Sequence, residues 1–91
     1  MAARIEVEEL KEGEFRVRVI EGQSASTHRV TLTPDDYRRL GGGKIEAREL
    51  IRRSFECLLA REPKESILSE FDLPLIGRYF PEYERELKRR I

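Results

Sequence analysis

One histidine, His28, and one cysteine, Cys57, are the side chains best suited to nucleophilic, acid-base or metal chemistry, and each stands alone in its type. A Cys/His zinc site needs about four such ligands and a disulfide needs two cysteines, so neither forms within one chain. His28 falls at an apolar parity of a strand pattern, which suits a hydrogen-bonded core or edge histidine, and sequence spacing pairs no nucleophile with it. Cys57 lies on the flank of a helical apolar stripe, with no neighbouring feature that would favour its thiolate. Asp35 and Asp36 have a sufficient structural role as carboxylates at the positive end of a helix dipole. Gly41-Gly42-Gly43-Lys44 offers glycine amides and a lysine to an anion. A nucleotide-binding loop, however, needs Ser or Thr after the lysine and a strand before the glycines, whereas Ile45 follows here and a helix precedes, so these glycines read as an inter-helix turn. No catalytic, metal-binding or cofactor-binding residue is expected, and the chain reads as non-enzymatic.

The elements that position these residues follow from periodicity. Ala47, Leu50, Ile51, Ser54, Phe55, Leu58 and Leu59 recur at the 3-4 spacing of one helical stripe, predicting a long amphipathic helix over 45–62. Its arginines form a solvated face, with Glu49 to Arg53 and Arg52 to Glu56 at pairing distance in sequence. Upstream, Ile5 and Val7, then Phe15, Val17 and Val19, alternate with charged residues around Lys11-Glu12-Gly13, the pattern of a β-hairpin. A polar loop over 21–26 precedes a third strand in which His28, Val30 and Leu32 alternate with Thr27, Arg29 and Thr31.

Thr33-Pro34-Asp35-Asp36 then reads as a helix entry, with Thr33 as cap, Pro34 at the first helical position, and Leu32 and Tyr37 placed as a hydrophobic staple. Three glycines stop that helix after Leu40. Pro63 ends the long helix and opens a further short one carrying Ile67, Leu68 and Phe71. Leu75, Ile76, Tyr79, Phe80 and Tyr83 follow, before a basic helical end. Phe71, Tyr79, Phe80 and Tyr83 leave two readings open, completion of a small core or a partner-binding surface.

Length and composition set the frame. Ninety-one residues suit one small domain over 1–91, with a sheet over about 4–33 and a helical part over about 34–91. Charged residues make up 40% of the chain, yet 18 basic and 18 acidic side chains cancel. Neither half carries the basic excess usual in nucleic-acid binders, although a local patch is compatible with this balance. The start of the chain is too charged for a signal peptide, and no apolar run approaches the roughly 18 residues that cross a bilayer, so a cytoplasmic protein without a membrane partner is expected.

From THRVTLTPDDYRRL to ARELIRRSFECLLA, residues 27–60, the sequence resembles the ribbon-helix-helix repressors and antitoxins. In that family two chains pair their strands into a ribbon that enters the DNA major groove. The resemblance implies a homodimer in which Thr27, Arg29 and Thr31 face bases while His28, Val30 and Leu32 face the dimer core. It also implies that backbone amides near Lys44 to Ala47 hold a phosphate.

The expected fold is therefore α+β: a three-stranded antiparallel sheet, a short helix, one long amphipathic helix and short C-terminal helical segments. The leading expectation for function is a small DNA-binding regulator of the repressor or antitoxin kind, with Thr27, Arg29, Thr31 and Lys44 on the nucleic acid. The alternative is a protein-interaction adaptor that uses Phe71, Tyr79, Phe80 and Tyr83.

Overall fold

The structure, a computed structural model, describes residues 3–90; Met1, Ala2 and Ile91, the ends of the expected domain, lie outside the described residues. Three strands, β1 (Arg4–Lys11), β2 (Glu14–Glu21) and β3 (Ser24–Thr31), form the expected antiparallel meander. Helices α1 (Pro34–Gly41), α2 (Ala47–Leu59), α3 (Ile76–Tyr79) and α4 (Tyr83–Arg90) follow, confirming the α+β class. A fourth strand, β4 (Glu70–Asp72), lies parallel to β3, so the sheet order is β1-β2-β3-β4. Among the described residues no helix is long and apolar enough to cross a membrane.

Local chemistry explains the early elements. The period-2 pattern puts Phe15, Val17, Val19, His28 and Val30 on one face of the sheet, all buried, and leaves Arg16, Arg18, Thr27 and Arg29 exposed on the other. β3 begins earlier than expected, at Ser24, because Gly22 takes a φ of 62° and closes a two-residue turn, so that Glu21 and Ser24 already pair. Thr33 caps α1, its hydroxyl accepting from the Asp36 amide at 3.2 Å, and Gly42 ends the helix in the left-handed conformation at φ 60°.

α2 is shorter than the 45–62 expected from the stripe. At its start the Ile45 carbonyl accepts a hydrogen bond from the Tyr37 hydroxyl, and Glu46 takes the cap position. At its end the Leu58 carbonyl collects the Arg61 and Glu62 amides in a tight turn. Within the helix, Leu50, Ile51, Ser54 and Phe55 are fully buried against the sheet and α4.

Ser54 donates to the Leu50 carbonyl at 2.9 Å, so the Tyr83 hydroxyl at 2.6 Å is the donor to Ser54 Oγ. Burial pushes the Tyr83 hydroxyl well above the usual phenol range, which keeps it protonated as that bond requires.

The segment after Pro63 departs from expectation. In place of a helix carrying Ile67, Leu68 and Phe71, a single 3-10 turn over Lys64–Ser66 gives way to extended chain and β4. Three contacts hold it extended: Phe71 pairs with Val30, the Arg29 amide donates to the Ser69 carbonyl at 2.8 Å, and the His28 ring bonds the Leu68 carbonyl. Together they satisfy backbone groups that a helix would otherwise have to pair internally.

A candidate partner-binding groove

His28 is the hinge between sheet and groove. Its Nδ1 lies 2.7 Å from the Leu68 carbonyl, which can only accept, so Nδ1 carries the proton. In the neutral ring Nε2 then accepts from the Ser26 hydroxyl at 2.8 Å. The ring also packs on Phe55, with centroids 5.5 Å apart, and Phe55 meets Phe71 at 6.0 Å. Sequence reasoning missed the Ser26–His28 contact, although residues two apart on one strand share a face. It has the spacing of a nucleophile and its base, but the place of an orienting carboxylate is taken by a carbonyl, and neither residue lines the recesses bordered by Leu68 and Tyr79, by Phe15 and Tyr37, or by Val7 and Arg52.

Lys64 fixes the other end of the segment. This ammonium is 4% exposed and is held by Glu65 and, at 3.4 Å, by Glu21 at the end of β2. Those carboxylates, Glu65 first, hold Lys64 above the usual lysine range. Between the two anchors the chain from Ser66 to Phe71 stands off the end of α2, and α3 closes the opposite side. The result is a groove of about 340 Å³.

Leu58, Ile67, Phe71 and Ile76 form its buried floor, while Leu68 and Tyr79 stand on its rim, 46% and 63% exposed. Phe80 is half-buried and sits 6.0 Å beneath the Arg61 guanidinium. Arg61 is itself engaged by Glu82 at 3.0 Å and Glu86 at 3.6 Å. Glu62 is the one charged residue lining the groove, and it makes no ion pair among the described residues.

The structure thus separates the four aromatics that the sequence left together. Tyr83, at 1% exposure, is core away from the groove; Phe71, at 9%, is core and part of the groove floor; Tyr79 and Phe80 line its more open parts. Leu58, Glu62, Ile67, Leu68 and Ile76 were not singled out as binding residues. Their apolar type was visible, but their convergence depends on the extended path through β4.

Thr27, Arg29 and Thr31 do share the outer face of the sheet with Arg16 and Arg18. That face is charge-balanced at short range. Arg16 pairs with Glu8 at 3.1 Å, Arg18 with Glu6 at 3.7 Å and Arg29 with Glu14 at 3.2 Å, Glu70 lies opposite Arg29 in register, and Thr31 bonds Asp72. Lys44 is exposed in the turn between α1 and α2, away from this face, and the adjoining helix start carries Glu46 and Glu49. Arg52 and Arg53 hold the Glu49 carboxyl down to about 2, so it stays charged there at neutral pH.

A second recess, of about 630 Å³, has an apolar floor of Phe15, Leu32 and Tyr37 and a rim of Glu9, Glu12 and Asp72. Among the described residues no group of three His, Cys, Asp or Glu side chains is placed to hold a metal ion. Comparison with protein-family models, with curated proteins and with solved structures finds no match in any of the three. The chemistry of the groove therefore rests on its own geometry.

Proposed function

We propose that the chain is a non-catalytic interaction module that takes a short peptide segment of a protein partner in the groove between α2 and α3. The observation that carries this is the pairing of exposed Leu68 and Tyr79 over an apolar floor, on a molecule whose open sheet face is otherwise charged and internally paired. The Glu62 carboxylate in that lining, without an ion pair among the described residues, selects the charge of the ligand. A segment with an aliphatic or aromatic anchor beside an arginine or lysine satisfies both the floor and Glu62.

Selection from a displayed peptide library tests the reading. Wild-type protein is expected to enrich sequences with an apolar residue next to a basic one. Leu68→Ser with Tyr79→Ser should lose that enrichment about tenfold or more while keeping the circular dichroism of the fold, because both side chains are exposed. Equal enrichment by the double variant would sink the proposal.

Duplex DNA binding, the function implied by the ribbon-helix-helix resemblance, is the second reading. It draws support from Thr27, Arg29 and Thr31 lying side by side on an open face with Arg16 and Arg18. DNA would have to compete with Glu6, Glu8 and Glu14 for those arginines. A ribbon between two copies of β3 would also have to open the contact with β4. On this reading affinity for a duplex falls steeply between about 50 and 200 mM salt, and Arg29→Ala weakens it; binding that ignores salt would rule it out.

A further inference from the structure

β1 is an edge strand of eight residues without proline, paired among the described residues on one side only, by β2. A free edge of that length presents a row of backbone donors and acceptors ready for another strand. Its apolar side is also unfinished. Val17 and Val19 on β2 are fully buried, but their β1 neighbours Val7 and Ile5, with Ala3, are only partly covered. Beside that edge a recess of about 250 Å³ opens between Val7 and the α2 side chains Glu46, Arg48, Glu49 and Arg52.

We propose that this edge pairs with β1 of a second copy of the chain, antiparallel about a two-fold axis, making one continuous sheet across both copies. The charges on the strand choose a second copy as occupant. Arg4, Glu6 and Glu8 project from the outer face, and Arg4 is 75% exposed with Glu6 on its own strand as its ion-pair partner. A register centred on Ile5 sets Arg4 opposite Glu6 of the second copy, at both symmetry-related positions. Registers centred on Glu6, Val7 or Glu8 set glutamate opposite glutamate and are disfavoured. On the inner face this register sets Ile5 against Ile5 and Ala3 against Val7 of the second copy, beside the recess. The α2 residues flanking it carry both signs, so they meet their symmetry mates without a single-sign clash. This surface is separate from the groove between α2 and α3, and the pairing does not depend on the peptide-binding proposal.

The test is solution mass by light scattering over a concentration series. Wild type should rise from the 10.7 kDa of one chain toward twice that value. Arg4→Glu places like charges at two positions and should raise the apparent dissociation constant about tenfold or more. The Glu6→Arg, Glu8→Arg variant should be weakened likewise, and mixing it with Arg4→Glu should restore association, since each copy then meets opposite charge. Thermal melts check that both variants fold, as expected from the solvent exposure of the altered ion pairs. The Leu68→Ser, Tyr79→Ser variant should associate like wild type. A chain that stays monomeric at millimolar concentration, an association indifferent to Arg4→Glu, or a mixture that fails to recover each overturns the proposal.

Discussion

Replacing Phe55 with alanine is expected to remove about 3–5 kcal/mol of stability. A domain of this length has roughly 5–14 kcal/mol in total, so the variant should unfold at well under its parent's urea midpoint with an unchanged slope. The reason is its position. Phe55 is fully buried on α2 and touches both His28 of β3 and Phe71 of β4, so its ring joins the long helix to the two parallel strands. Removing the ring leaves a cavity at that junction, and neither strand can close it without breaking the pairing between Val30 and Phe71. Leu10→Ala is the control, since Leu10 is 37% exposed and should change stability by less than about 0.5 kcal/mol. A Phe55→Ala variant as stable as that control would mean that the junction is not the centre of the core.

The second large effect is expected at His28. Leucine there keeps the apolar bulk but strands the Leu68 carbonyl without its donor, at a cost of about 1–3 kcal/mol. Much of that loss should be local, because the bond ties the 67–71 segment to β3. The readout is hydrogen exchange at the Arg29 amide, which donates to the Ser69 carbonyl. In His28→Leu its exchange should quicken on the order of 10- to 100-fold, and peptide capture by the groove should weaken in parallel.

His28→Asn separates the two roles of the ring. The asparagine amide nitrogen stands close to where Nδ1 was and can still donate to Leu68, so slow exchange at Arg29 should largely return. The packing on Phe55 is lost, however, and global stability should stay low. Arg29 exchange that is the same in all three proteins would show that His28 does not anchor the groove wall.

Much of this architecture is written locally. The β1–β2 hairpin follows from alternation, α1 from Thr33, Pro34 and the glycines that end it, and α2 from an unbroken apolar stripe, because each depends on residues within a few positions of one another. The burial of His28 was legible for the same reason, as a parity on a strand. The lone histidine and lone cysteine likewise settled, without any structure, that one chain cannot build a disulfide or a Cys/His zinc site.

The tertiary structure alone decided the path after Pro63. Glu70–Asp72 is a strand of three residues whose pairing partner is some 40 positions earlier, and Ile67, Leu68 and Phe71 carry a spacing that fits a helix as well. A parallel pairing of that kind rests on hydrogen bonds from Arg29 and His28 and on the aromatic contact with Phe55, none of which leaves a local signal. The division of the aromatics followed from it: Tyr83 turns into the core, Phe71 is buried as the floor of the groove, and Tyr79 and Phe80 border it. Which side of an apolar residue faces solvent is fixed by what packs against it, and for this segment those neighbours come from β3 and α2.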